Sequence, residues 1–410
     1  MKNILIIQYF YRPIISNQSF RYDRILENFD EGVNVDILTS SHHGIPKYEK
    51  DGNISIYRVN SRFLMKKINY ETKNVSQIVE GKTSTVKKVI KAVMRFLMWP
   101  DFAFMWIPKA YKKGKKLVNN KEYDMVYTVS FPFSSHLIGF LLKKKYKKIK
   151  WTVDYIDPFS IINSDENPAN NVRMYKWLNH WIENRVNRLA DRIFMLEEAY
   201  NRFSNIFPTY NSKITVIPPM LGIEREKYES ISPHTFTNSG TNIVYTGTFY
   251  KSIRNPEKFL LMFEELLLLD SKIYLHFIGD LKDCKDVIEK FSNRYPDNIF
   301  IYGKLSREET MKYLKGSDIL LNISNKSFAQ LPGKVVEYLY TGKRILNFSH
   351  SSNSNSSIFF KKYCSEKQVL EVNENSFDLK DVLKVIKSHE EVSNVDIRKF
   401  LPENIARLYL

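Results

Sequence analysis

The chain has 410 residues, 43% hydrophobic and 14% aromatic, with 62 Lys and Arg against 45 Asp and Glu for a net charge of +17. That is long for one core and apolar enough for two, so two domains of about 200 residues are expected. Two cysteines, Cys284 and Cys364, exclude a disulfide framework and a zinc knuckle, and no apolar run nears the roughly 20 residues of a membrane span.

Strand-like and helix-like segments alternate along the first half. Strands are predicted at Ile4–Gln8, Val33–Thr39, Ile54–Val59, Met125–Val129, Trp151–Asp154 and Arg192–Leu196, with helical spacing at Phe20–Phe29, Ser134–Lys145 and Tyr175–Ala190. The strands are continuous β-branched runs, the pattern of a sheet covered on both faces. The opening run Ile4–Ile7 is too short for a signal-peptide core and reads as the first strand, so a cytoplasmic protein is expected, soluble or peripheral on the inner face of the membrane. Two polar residues near strand ends stand out. Asp157, in "WTVDYIDPFS", is either a functional acid or the cap of an Asp-Pro turn. His136, in "FSSHLIG", is either a general base or a solvated ring at a helix start.

The basic charge also belongs to this half. Residues 51–150 hold 22 basic and 6 acidic residues, whereas residues 216–410 hold 27 and 25. Thr85–Trp99 has helical spacing with Lys87, Lys91 and Arg95 in one stripe, followed by Trp99, Phe102, Phe104 and Trp106. Together with the lysine runs at 109–116 and 143–150, residues 85–150 suit an anionic membrane surface. The alternative is a core-packed helix beside solvated lysines. Lysines outnumber arginines in these runs and no nucleic-acid-binding module is recognisable, so nucleic acid is not expected as a partner.

After "KITVIPPMLGIE" (Lys213–Glu224) the alternation starts afresh, with Pro218-Pro219 ending a strand and marking a hinge. New strands are predicted at Ile243–Thr246, Ile273–Ile278, Ile299–Tyr302, Ile319–Asn322 and Ile345–Phe348. Two α/β halves imply two doubly wound sheets facing a central cleft, divided as 1–215 and 216–395, with 396–410 packing back on the first. The stretch Ser349–Phe360, "SHSSNSNSSIFF", begins as a Ser/Asn-rich loop expected to be mobile.

Two loops of the second half carry chemistry. In "VYTGTFYKSIRNPEKFL", Gly247 and Thr248 follow the first strand, and Lys251 and Arg254 precede a helix starting near Pro256. Glycine then two cations makes a phosphate site or an unliganded basic loop. In "QLPGKVVEYLYTGKRIL", Pro332 suits a helix N1 position, Gly333 allows close backbone approach, and Gly342 suits the stop. That helix start can hold a diphosphate, and Glu337 can grip ribose hydroxyls. The alternative is a Lys334–Glu337 surface pair worth about 0.2–0.5 kcal/mol.

These two motifs, about 85 residues apart, resemble the donor-binding motifs of family 4 glycosyltransferases, which have the GT-B fold of two Rossmann-like domains. "WTVDYIDPFS", "WPDFAFMW" and "SFPFSSHLIG" resemble first-domain segments of one branch, and "ITVIPPMLGIE" sits where the family has its "vipNG" linker. The resemblance implies a retaining glycosyltransferase. It assigns Glu337 to the donor ribose, Pro332, Gly333 and Lys334 to the loop at the diphosphate and sugar, and Lys251 and Arg254 to the leaving diphosphate. Asp157 matches the polar residue facing the reacting sugar. The implied substrates are a nucleotide-diphosphate sugar, UDP-sugar foremost, and a cell-surface polysaccharide or lipid-linked glycan. Three departures are visible. Ala329 stands eight positions before Glu337, where the family often has a second glutamate; "YRPIISNQ" replaces the usual glycine pair after the first strand; and Pro-Pro replaces the linker Asn-Gly.

The chemistry needs no separate cofactor, the nucleotide-sugar being a substrate. Cations and helix N–H groups can stabilise the departing diphosphate. Absence of an Asp-x-Asp argues against a metal-dependent GT-A enzyme. The rival reading is a non-catalytic GT-B subunit that binds a glycan or an active partner, suggested by Ala329.

Overall fold

The computed structural model describes residues 1–14, 16–41, 44–60, 99–156, 158–160, 172–223, 225–326, 331–388 and 395–410. Its strands fall into two sheets. The first comprises β1 (Lys2–Ile7), β2 (Val33–Ser41), β3 (Tyr48–Asp51), β4 (Ile54–Asn60), β5 (Met125–Val129), β6 (Trp151–Tyr155), β7 (Arg192–Leu196) and β8 (Ile214–Ile217). Their order is β3-β4-β2-β1-β5-β6-β7-β8, parallel except for the edge strand β3. The apolar runs read from the sequence are the buried strands, with Ile4, Leu5, Val153, Ile193 and Met195 at most 2% exposed.

This unit runs from Met1 to Pro218 and takes in Pro402–Leu410. The terminal segment is tied down by buried polar groups. The Tyr409 and Tyr22 hydroxyls each donate to Asp154 Oδ2 at 2.6 Å, Tyr127 donates to the Tyr409 carbonyl at 2.7 Å, and Arg21 donates to the Tyr409 hydroxyl at 3.0 Å.

The second unit, Pro219–Leu401, holds β9 (Thr241–Thr246), β10 (Ile273–Ile278), β11 (Ile299–Gly303), β12 (Ile319–Ile323), β13 (Arg344–Ser349) and β14 (Val369–Asn373). All are parallel, in the order β11-β10-β9-β12-β13-β14. Strand order reverses between β9 and β12. The loops after these two strands therefore diverge and leave a crevice at their carboxyl ends, the usual ligand position in such sheets. Both phosphate-site candidates lie on those loops.

Several expectations need correction. Ser349–Phe360 begins as a loop, as expected, but does not stay one: Ser354 caps the helix Asn355–Tyr363, its side chain accepting from the Ser357 N–H. Of the two readings offered for the aromatic segment 99–106, lipid-facing or core-packed, the described residues follow the second. Trp106 is fully buried, the Trp99 indole donates to Asn179 at 2.9 Å, and Phe102 packs on Tyr9 and Phe131. The stripe Lys87, Lys91 and Arg95 lies outside the described residues, as do Asp157 and Ala329. Among the described residues no helix is long and apolar enough to cross a membrane.

Candidate donor-binding site

The crevice beside β9 is built around a glycine contact. Gly247 follows β9 with φ +124°, Gly279 follows β10 with φ +136°, and the Gly247 N–H donates to Ile278 O at 2.9 Å. A Cβ on Gly279 would collide with the Gly247 carbonyl. Both positions need a backbone that other residues rarely adopt, and Gly279 also needs the space. The space over Gly247 is open but flanked, with Arg254 Nη1 3.6 Å and the Lys334 Cδ 3.9 Å from where a Cβ would stand.

Arg254 arrives there through a tight turn, its N–H donating to Tyr250 O at 2.7 Å, before Pro256 caps the helix Glu257–Leu269. Among the described residues its guanidinium is held by neutral acceptors. Nε and Nη2 donate to Asn325 Oδ1 at 2.9 and 2.7 Å, and Nη1 donates to the Tyr245 hydroxyl and the Thr248 carbonyl, both at 3.3 Å. Asn325 comes from the loop after β12, so the two diverging loops are joined across the crevice. Thr248 contributes its backbone to this clasp.

Lys334 begins the helix Lys334–Thr341, with Gly333 as its cap and Gly342 (φ +68°) as its stop. Pro332 therefore lies one position before the cap rather than at N1. Tyr338 fixes the helix against the sheet. Its hydroxyl accepts from the Thr246 N–H at 2.9 Å and donates to Leu321 O at 3.2 Å. This places the Lys334 ammonium 3.5 Å from the Tyr245 ring centroid and 3.4 Å from Leu321 O. Burial, and secondarily the Arg254 charge, hold its pKa well below the ordinary lysine value. Among the described residues neither cation has a carboxylate partner. Two cations close enough to repel, at a desolvated crevice beside an open glycine backbone, form a site short of negative charge.

Glu337 lies one turn further along the helix and does not pair with Lys334, so the surface-pair alternative fails. It is bonded to Arg307, from the helix Arg307–Gly316, and its side chain is 16% exposed. Burial raises its carboxyl above the ordinary range, and Arg307 opposes the rise. Gly222 completes this corner: a Cβ there would collide with the Arg307 guanidinium and come within 2.8 Å of Glu337 Oε1. The linker thus keeps a glycine for close approach, three positions beyond Pro219.

Lys251 is exposed on the turn, and its backbone N–H donates to Asp283 at 3.0 Å. The structure brings together Gly247, Thr248, Arg254 and Lys334, holds Glu337 one turn on from Lys334 against Arg307, and leaves Lys251 exposed on the turn. His136 is neither solvated nor accessible. It is fully buried, Nδ1 lies 2.9 Å from Thr128 Oγ1, and burial lowers its pKa to about 3. A neutral enclosed ring has no route to an acceptor hydroxyl.

Tyr245, Gly279, Asn325, Tyr338, Arg307 and Gly222 were not singled out in the sequence. "HFIGD" repeats the strand-then-glycine signal of Gly247, and Ser306 three residues before Glu309 marks the helix start that carries Arg307. Nothing local marks Asn325 as the partner of an arginine 71 positions away.

No family model matches the chain. It is 23% identical over 354 residues to a Methanocaldococcus jannaschii protein named uncharacterized glycosyltransferase MJ1069, a match spanning 84% of this chain and 80% of that one. Sucrose-phosphate synthase from Thermosynechococcus elongatus superposes with a TM-score of 0.64 at 12% identity, covering 99% of this chain and 92% of the other. The chain has the GT-B fold. Anabaena HepE, solved in complex with UDP-glucose, also superposes, with a TM-score of 0.50 at 10% identity over 100% and 94% of the two chains. The GT-B architecture and the relative's name agree with the resemblance drawn from the sequence motifs.

Proposed function

We propose that the protein is a glycosyltransferase that moves a sugar from a nucleotide-diphosphate donor, a UDP-sugar, to a cell-surface polysaccharide or lipid-linked glycan. The observation that carries this reading is the pair Arg254 and Lys334, held by neutral groups beside Gly247 at the reversal of strand order. A diphosphate seated there would supply the missing negative charge, and the two cations would stabilise it as it leaves. Lys251 joins from the rim. Glu337, turned from Arg307 or sharing it, accepts the ribose hydroxyls. Pro332, Gly333 and the first N–H groups of the helix Lys334–Thr341 face the diphosphate and sugar.

This chemistry uses no metal and no separate cofactor, and the family 4 resemblance supports retention of configuration. Asp157 is proposed as the residue facing the reacting sugar. A cytoplasmic location fits a nucleotide-sugar donor. One sequence observation favours a second reading, a non-catalytic GT-B subunit: Ala329 occupies the place of the family's other glutamate. Both readings share the nucleotide site, and only transfer or hydrolysis of the donor separates them.

A thermal-shift series tests the site. A ligand that binds only the native state at a hundred times its Kd adds about 2.7 kcal/mol. UDP should raise the melting temperature more than UMP, and UMP more than uridine. Equal shifts for UDP and uridine, or no shift with any nucleoside diphosphate, would remove the proposal.

A further inference from the structure

The helix Val172–Leu189 has a well-packed inner side and an unusual outer one. Asn179, Ile182, Glu183, Val186 and Asn187 are buried, while Lys176, Trp177, Trp181, Arg185 and Arg188 are exposed. Trp177 is 72% exposed and Trp181 44%, one turn apart on the same face. Of the unit's other tryptophans, Trp106 and Trp151 are fully buried and Trp99 is half-buried. The Arg185 guanidinium lies 4.7 Å from the Trp181 ring centroid. The helix has a single acid, Glu183, and it points inward, accepting from the Phe159 and Ser160 N–H groups at 3.0 Å each.

The neighbours extend the pattern. This helix packs beside Ser134–Lys145, which packs beside Ile107–Asn120. Those two helices contain three and five lysines and no acidic residue. The outer surface of this layer therefore combines lysine-dominated positive charge, two exposed indoles and no exposed carboxylate from the three helices themselves. Charge alone would suit any polyanion. Paired tryptophans among lysines fit a bilayer surface, where an indole rests its apolar body in the acyl boundary and its N–H among headgroups.

We propose that this helix layer docks on an anionic lipid bilayer, with Trp177 and Trp181 seated at headgroup depth. The docking face replaces the Trp99–Trp106 segment, which is packed inward. The inference rests on the first unit alone, so its failure leaves the donor site untouched, and loss of nucleotide binding leaves it untouched in turn.

The test uses the full chain with vesicles of phosphatidylcholine, with or without phosphatidylglycerol, read by co-sedimentation and tryptophan emission. Binding is expected only with phosphatidylglycerol, with a blue shift, quenching by bromine-labelled acyl chains, and release by high salt. Arg185→Gln and Arg188→Gln should each weaken binding about fivefold, roughly 1 kcal/mol apiece. Trp177→Ser combined with Trp181→Ser should abolish the blue shift, weaken binding about tenfold or more and leave the melting temperature unchanged. No binding at low salt, or full binding by the double tryptophan variant, overturns the proposal. So does a dimer that the same variant breaks without any vesicle binding by the parent, because a second copy then covers the face.

Discussion

Replacing Lys334 with methionine separates folding from binding, because the account expects the two to move in opposite directions. The ammonium sits against the Tyr245 ring near Arg254, with no carboxylate to offset it among the described residues. A lysine whose folded pKa is depressed binds fewer protons folded than unfolded, so stability rises as pH climbs from the lowered value toward 10.5. Methionine fills the same volume without a charge. The free protein should gain about 1–3 kcal/mol near neutral pH, and its stability should lose that part of its pH slope. UDP should bind more weakly, since one charge-assisted hydrogen bond of about 1.5–3 kcal/mol is lost, about 10- to 150-fold in Kd. Denaturant melts of the free protein at several pH values, with calorimetry for UDP, measure both. Unchanged UDP affinity, or a free protein several kcal/mol less stable, would refute the reasoning.

Asn325→Asp should hold the Arg254 fork at least as firmly and raise the melting temperature, yet weaken UDP about tenfold by cancelling its charge; Asn325→Ala should weaken UDP without the thermal gain, and both are read by calorimetry and melting. Gly279→Ala forces a Cβ into the Gly247 carbonyl at φ +136° and should cost at least about 2 kcal/mol in denaturant melts, with loss of UDP binding. Glu183 is fully buried, and burial lifts its carboxyl from 4.5 to about 7. Its contribution is fully present below the unfolded value and fades as pH rises through about 7, roughly 3 kcal/mol across the window. Glu183→Gln should flatten that fall in melting temperature, whatever offset its altered hydrogen bonds to Phe159 and Ser160 add.

The two-sheet architecture was legible because each central strand is a short apolar run bounded by polar residues. Met125–Val129, Arg192–Leu196 and Ile273–Ile278 fall where the pattern puts them. What escaped were elements stabilised from outside themselves. β3, "YEKD", is wholly exposed and exists only as the antiparallel partner of β4. β14 carries Glu371 in its middle, an acid that reads as a break. Its carboxylate is satisfied by Asn347 on β13 and Ser357, at 2.7 and 3.0 Å. The serine-rich stretch 349–360 begins as the loop its composition suggests, but the helix that follows was hidden because its cap and first-turn contacts are themselves serines, Ser354 and Ser357.

The site divides in the same way. Gly247, Arg254, Gly333, Lys334 and Glu337 were visible as local patterns after strands. Their orientation was not, because it comes from residues distant in sequence: Asn325 for Arg254, Tyr245 for Lys334, Arg307 for Glu337. His136 misled because a helix start is ordinarily wet. Here that start is covered, the ring packing edge-on against Phe133 and Tyr155.

The most direct measurement is a crystal structure of the full chain with UDP. The account expects diphosphate oxygens within hydrogen-bond distance of Arg254 and Lys334 over the Gly247 backbone, with the ribose at Glu337. Nucleotide density elsewhere on the chain, with Arg254 still clasped and the space over Gly247 empty, would contradict it.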